Sequence, residues 1–318
     1  MPSVAELKPV ANVLAVVVTY NPGDDLAKNL EALSAEVRVI VVDNGSQNAA
    51  AVEAATLATG CRLISNGENR GVAAALNQAA HIAAAEGFEW LATFDHDSLI
   101  PQGAFTSILA CYARHPSRDK IAIISMTRRD RGTGYDYTPP WAILEETSSW
   151  RSVRTTITSG SLIKPQIFST VGLFDESLFI DAVDHDFALR CRQMKYLVIE
   201  DKTTILLHNL GQSETMSLFG RVRILTNHSP TRQYYIARNN LEVIFRSLSI
   251  DPTWSWRAFV YVTAGLVEAC LFERDRLQKL SAILQGGKDF ILRRFGPRPR
   301  PARRTSSPPA ISPIAEPP

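Results

Sequence analysis

The chain has little cysteine: four residues in 318, Cys61, Cys111, Cys191 and Cys270, none at C-x-x-C spacing from another. Such scattered thiols offer neither a disulfide framework nor a zinc site, and they fit a reducing cytoplasm. Net charge is only +2, so no overall excess of positive charge draws the protein to nucleic acid, and none is expected as a partner. No apolar run reaches the roughly 20 residues of a bilayer span; the longest late one, AFVYVTAGLV, covers 258–267. The early run ANVLAVVV has no strong basic leader and ends in TYNPGDD, so it reads as a strand and not as a signal peptide. Absent after that run is a G-x-G-x-x-G turn, which weakens a dinucleotide-dependent dehydrogenase. Absent throughout is G-x-x-x-x-G-K-[ST], which removes a P-loop NTPase. There is no internal repeat.

What is present is a set of β-branched apolar runs, VLAVVVT (13–19), VRVIVVD (37–43), CRLIS (61–65), WLATFD (90–95) and IAIISM (121–126). Each has the continuous apolar character of a strand buried on both faces. Alanine- and leucine-rich stretches at 25–34, 48–58, 71–86 and 103–114 separate them and predict helices. The alternation predicts an α/β fold with a doubly wound, mainly parallel sheet. Ligands of such sheets bind outside the carboxyl ends of the strands. Those ends carry Thr19-Tyr20-Asn21, Asp43-Asn44-Gly45-Ser46, Asn66 to Arg70 and Asp95-His96-Asp97. After 126 the alternation fades into a second region, and from about 232 the pattern is helical.

Asp95 and Asp97, two residues apart at a strand end, point roughly the same way and repel. A hard divalent cation such as Mg2+ or Mn2+ would relieve that repulsion and leave coordination positions for phosphates. An acidic loop that caps the next helix is the plainer reading of an isolated D-x-D. Asp43 suits hydrogen bonds to a nucleobase or ribose and equally an Asx turn. Asn69 and Arg70 open an alanine-rich helix whose free N–H groups suit a diphosphate, or simply cap it. In FIDAVDHDFALRCR, a helix over 183–193 pairs Asp186 with Arg190 at i+4 and buries Phe187 and Cys191 together. Asp181 and Asp184 are left over: either a general base or acids that favour a helix N-terminus. His208, after TTILL, is a surface histidine or a nitrogen ligand that completes a shell with the acid pair.

Taken in order, VVVTYNP, VVDNGS, NRGVAAALNQA, FDHD, SGSLI, GLFDESLFIDAVDHDFALRCR and YYIARNN resemble an inverting family 2 glycosyltransferase of the GT-A fold. The likeness is to rhamnosyltransferases of bacterial surface-polysaccharide synthesis, over about residues 12–245. The resemblance implies that Thr19, Tyr20, Asn21 and Asp43 with Asn44 hold nucleobase and ribose, and that Asn69, Arg70 and Asn77 lie near the donor. It makes Asp95 and Asp97 the D-x-D that binds ribose, metal and diphosphate, with His208 as a further metal or diphosphate contact. Asp184 becomes the catalytic base, although many members have Glu-Asp where this chain has Val183-Asp184, and Asp181 competes for the role or orients the acceptor. The implied donor is dTDP-rhamnose and the implied acceptor a glycan or lipid-linked glycan.

Rival readings are the same fold with a UDP-hexose, and a non-catalytic nucleotide- or glycan-binding protein. The latter has no need of an acid at 184. A processive synthase is disfavoured by the lack of Q-x-x-R-W and of multiple spans. The expected organisation is an extension at 1–11, the glycosyltransferase domain at 12–245, a helical region at 246–296 and a disordered tail at 297–318. In the helical region Leu277, Leu280, Leu284, Ile291 and Phe295 form a stripe near Lys279, Lys288, Arg293 and Arg294. Such a stripe suits peripheral contact with the anionic inner face of the cell membrane, or ordinary packing on the domain.

Overall fold

The computed structural model describes residues 12–130, 136–208, 214–218, 221–225 and 227–298; the N-terminal extension and nearly all of the proline-rich tail lie outside them. The chain opens with β1 (Val13–Thr19), α1 (Leu26–Ser34), β2 (Arg38–Asp43), α2 (Ala49–Ala58), β3 (Arg62–Ser65), α3 (Val72–Ala85), β4 (Trp90–Asp95), α4 (Ala104–Arg114) and β5 (Ile121–Asp130). β6 (Ile143–Glu146), β7 (Trp150–Val153), β8 (Ser161–Ile163), α5 (Pro165–Val171), α6 (Val183–Gln193) and β9 (Leu197–His208) follow. The hairpin β10 (Glu214–Leu218) and β11 (Arg221–Leu225) leads to α7 (Pro230–Ser247), α8 (Pro252–Phe272) and α9 (Arg276–Ile291).

Among the described residues, nine strands form one sheet in the order β3-β2-β1-β4-β8-β5-β9-β7-β6. The first four are parallel, with Thr19 beside Asp43, Val18 beside Asp95 and Asp43 beside Ser65. Alternation along β1 sends Leu14 and Val16 into one apolar layer with Leu76, Ala79 and Ala83 of α3. Val13, Ala15 and Val17 enter the opposite layer with Leu30, Phe105 and Ile108. Burial on both faces is why β1, β2 and β4 are almost continuously apolar, each buried Val or Leu contributing about 1.5–3 kcal/mol, whereas β3, expected to be buried in the same way, is the sheet edge and leaves Arg62 and Ser65 exposed.

Past β4 the sheet departs from the expected parallel pattern. The three-residue β8 runs antiparallel between β4 and β5, too short for any periodicity to reveal. It brings Ser159 against the end of β4, where its hydroxyl accepts the Asp95 amide at 3.3 Å and contacts Ser98 Oγ at 2.5 Å. On the far side, the fully buried Glu200 of β9 accepts Arg128 and Arg151 at 2.7 Å each, tying β5, β7 and β9 together.

The C-terminal helices pack on one another and on the sheet domain. α8 is fixed at its start by its N-cap Asp251, which accepts the Trp254 amide at 2.9 Å and both Arg154 and Arg192 at 2.5 Å. Two expectations for this region need correction. Lys279 is buried, 2% exposed, and is bonded to Glu273 at 2.7 Å, so it is not part of a basic rim. Phe295 lies beyond the end of α9, its ring under Arg238 and Arg293, so it does not extend the helical stripe. The run at 258–267 sits within a 21-residue helix that is long and apolar enough to cross a membrane by length and composition.

Candidate active site

A cleft of about 790 Å3 opens where β1 and β4 end, at the point where strand order reverses. Thr19, Tyr20, Asn44, Asn69, Asp95 and Asp97 line it from the first half of the sheet domain, and Asp181 and Asp184 from the second half. Residues remote in sequence thus meet as expected. Asn21, Asp43, Arg70 and Asn77 do not line it, for identifiable reasons.

The carboxylate of Asp43 is 1% exposed and accepts Thr19 Oγ1 at 3.0 Å, the Ser46 amide at 3.0 Å and Ser46 Oγ at 2.5 Å. The carboxylate is thus taken up by its own loop, through a backbone amide three residues on, one residue beyond the span of an Asx turn. Asn21 is held to the same loop, receiving the Gln47 amide on its side-chain oxygen at 2.7 Å. Asn77 bridges backwards: its amide donates to Phe174 O and Glu176 Oε1, and its oxygen accepts the Phe174 amide. Arg70 is exposed between Asn69, whose Oδ1 accepts the Gly71 amide at 2.9 Å, and the start of α3. Asn21, Asp43 and Asn77 thus fix the backbone around the cleft, while Arg70 stands exposed between the cleft-lining Asn69 and Gly71.

Asp95 closes β4, while Asp97 lies in the turn that follows it. Asn29 holds that turn by donating to His96 O at 2.8 Å. Both carboxylates are partly buried and reach the cleft, so the donor set there is hard oxygen, the kind that Mg2+ or Mn2+ takes while keeping water and phosphate positions open. Among the described residues no group of three or more His, Cys, Asp or Glu forms a ready metal cage. His208 ends β9 opposite Asp130, and its side chain lies outside the described part.

Asp184 is in the first turn of α6, and its Oδ1 accepts the His185 amide at 2.8 Å. Asp181 precedes the helix with a positive φ of 64°. Its carboxylate is 13% exposed and meets Arg232 at 3.3 Å. Burial pushes the Asp181 carboxyl above the ordinary aspartate range, Arg232 opposes that, and Asp184 nearby adds to it. Asp181 Oδ2 and His185 Nδ1 are buried atoms without a hydrogen-bond partner among the described residues, so hydrogen-bonding capacity at the cleft is unmet by the protein itself.

The sequence pattern of Glycosyl transferase family 2 matches residues 14–171. A dTDP-rhamnosyl transferase, RfbF, of Shigella flexneri is 32% identical over 242 residues, covering 72% of this chain and 78% of that protein. The chain belongs to glycosyl transferase family 2. Among solved structures, S. aureus TarS 1–349 in complex with UDP-GlcNAc aligns with a TM-score of 0.52 at 15% identity, over 89% of this chain and 81% of that one. GalNAc-T7 with UDP, GalNAc and Mn2+ aligns with a TM-score of 0.52 at 14% identity, over 71% of this chain and 47% of that one, about half its length. At these identities the likeness is one of fold, GT-A, with helices added at the C-terminus.

This glycosyltransferase also lines its cleft with residues that the sequence did not single out: His185, His228, Arg232 and Asn240. The signal for His228 and Arg232 was a helix start, whereas Asn240 ends the YYIARNN stretch inside α7. Ser229 caps α7 by accepting the Arg232 amide, and Pro230 stands in its first turn. Burial, reinforced by the charge of Arg232, pushes His228 down to about 4, with Lys279 acting the same way and Glu273 opposing. The unfolded chain therefore protonates this histidine first. Stability is expected to fall as pH drops from about 6.5 towards 4 and to level off below. Urea midpoints at pH 7 and pH 5 check this: His228→Gln should lose part of the wild-type drop, and an identical drop would contradict it.

Proposed function

We propose that this glycosyltransferase moves L-rhamnose from dTDP-L-rhamnose onto a hydroxyl of a growing cell-surface glycan, with inversion at the anomeric carbon. The observation that carries the reading is the meeting of Asp95 and Asp97 with Asp184 and Asp181 in one cleft at the carboxyl edge of the sheet. The donor rests on the rhamnosyl transferase that shares 32% identity. In this reading Thr19, Tyr20 and Asn44 receive the nucleoside, with Asn21 and Asp43 fixing their loop. Asn69 and Arg70 stand beside the diphosphate, and Asn77 secures the segment opposite.

Asp95 and Asp97 would hold Mg2+ or Mn2+, which when bound supplies positive charge to the diphosphate as it leaves. Asp184 takes the proton from the acceptor hydroxyl as that oxygen attacks the anomeric carbon. Asp181, engaged by Arg232, orients the acceptor. Calorimetric titration with dTDP-L-rhamnose, dTDP and UDP-hexoses, with and without manganese, tests the donor. Tight, manganese-dependent binding confined to the thymidine compounds supports it, whereas preference for a UDP-hexose would move the enzyme to another donor on the same fold.

The domain over 12–245 is then served by the helices of 246–296 as a docking appendage on the cytoplasmic face of the membrane, where a lipid-linked acceptor would be presented. Support comes from exposed apolar side chains on α8 and α9: Trp256, Tyr261, Leu277, Leu284 and Ile291 are 65–83% exposed. Arg257 and Lys288 are exposed on the same helices, each basic residue near an anionic surface contributing on the order of 1 kcal/mol. Because Asp251 and the buried Trp254 anchor its start to the catalytic domain, α8 lies along the surface in this reading and does not span. Replacing Leu277, Leu284 and Ile291 with glutamine is expected to abolish most co-sedimentation with anionic vesicles; undiminished pelleting would leave these side chains without a membrane role.

A further inference from the structure

The segment from Leu178 to Ala182 is unusual. Phe179, Asp181 and Ala182 have φ of 66°, 64° and 64°, values that non-glycine residues adopt only when the surroundings impose them. Asp181 belongs to this segment and Asp184 follows it within one turn of helix. Something must hold it there.

It is held from two sides. On the nucleotide side, Phe179 O accepts the Val72 amide at 2.8 Å, and Gly71 backs so closely onto Phe179 that an added Cβ would meet Phe179 O at 2.5 Å. The opposite side is the stretch YYIARN of α7, to which no chemical role has so far been attached. Asn239 is fully buried, and its Nδ2 donates to Leu178 O at 2.5 Å and Ile180 O at 2.6 Å, with Asp181 O at 3.4 Å. Arg238, 1% exposed, donates from Nε to Asn239 Oδ1 at 2.8 Å, which fixes the amide so that its N–H groups face those carbonyls. The other end of the Arg238 guanidinium reaches Gly296 O at 2.8 Å. Tyr235 stacks on Phe179, with ring centroids 5.2 Å apart at 17°.

We infer that Asn239, oriented by Arg238, is a positioning residue that clamps the strained 178–182 segment against the start of α3, and so sets where Asp181 and Asp184 stand relative to the donor. An alanine at 239 strips Ile180 O of its Asn239 partner, leaves Leu178 O to the Ile180 amide at 2.8 Å and to Arg238, and releases the strain that the amide now restrains. The segment would relax away from α3, and the proton acceptor would lose its alignment with the donor's anomeric carbon. Misplacement of that order costs rate far more than affinity. The inference rests on the rhamnosyl-transfer reading for its catalytic consequence, but its structural half does not.

The test therefore has two readouts on Asn239→Ala and on Asn239→Asp, which keeps the size of the side chain while removing the donor groups. Hydrogen exchange of the Val72 amide and of residues 178–184, read without any sugar, is expected to quicken at least about tenfold. Single-turnover transfer from dTDP-L-rhamnose should fall about thirtyfold or more, with dTDP affinity within about twofold of wild type. If position 239 does not tolerate change, Arg238→Lys, which keeps the charge but loses the Nε donor, should show the same signature more weakly. Unchanged exchange across the segment would overturn the clamp, as would a rate loss that merely follows lost dTDP binding. Quickened exchange in an enzyme whose wild type transfers no rhamnose would leave the clamp standing and remove the functional reading instead.

Discussion

Asp184→Asn is expected to bind dTDP and manganese within about twofold of wild type yet transfer sugar at least about a hundredfold more slowly, the scale of a lost general base. The substitution keeps the size of the side chain and removes its basicity. Asp184 lines the cleft from the first turn of α6, and its Oδ1 is already tethered by the His185 amide. Asp181 differs in kind. It is largely buried, its charge is met by Arg232, and burial favours its protonated form. Asp181→Asn should therefore cost less, chiefly through a raised acceptor KM. Single-turnover transfer at saturating donor keeps weakened binding from imitating slowed chemistry. A dead Asp181→Asn beside an active Asp184→Asn would exchange the two roles, and full activity in both would remove the base from this segment.

Asp97→Ala is expected to abolish the manganese-dependent part of dTDP binding. A hard cation that Asp95 and Asp97 would hold together would lose one of its two carboxylates in this variant, and Asp95 alone would balance its charge less well. Calorimetry of dTDP with and without manganese reads this directly. If Asp97 merely shapes the turn after β4, the variant will keep its manganese dependence, and the plainer reading of the acid pair holds.

Legibility in the sequence followed burial. The first four strands and helices lie within about two residues of expectation, because β1, β2 and β4 are buried on both faces and even the half-exposed edge strand β3 is flanked by helices of distinct composition. The same local logic found α6: Asp186 pairs with Arg190 at 2.8 Å, and Phe187 and Cys191 are buried. What sequence could not show was decided by non-local contact. β8 exists only because β4 and β5 leave a gap that three residues fill. The side chain of Asp43 carries no mark that Thr19 and Ser46 take its oxygens, and that of Asn77 none that Phe174 and Glu176 take its amide. His228 and Arg232 enter the cleft only through the course of α7 across the domain. Lys279 reads as one more basic surface residue until Glu273 is seen beside it.

A single inverting displacement from dTDP-L-rhamnose leaves its mark in the anomeric configuration of the transferred sugar, which NMR of the product reads. Wild-type enzyme should yield a rhamnosyl linkage of configuration opposite to the donor's, formed one-for-one with released dTDP. Retained configuration, or release of dTDP from Asp184→Asn at the wild-type transfer rate, would contradict it.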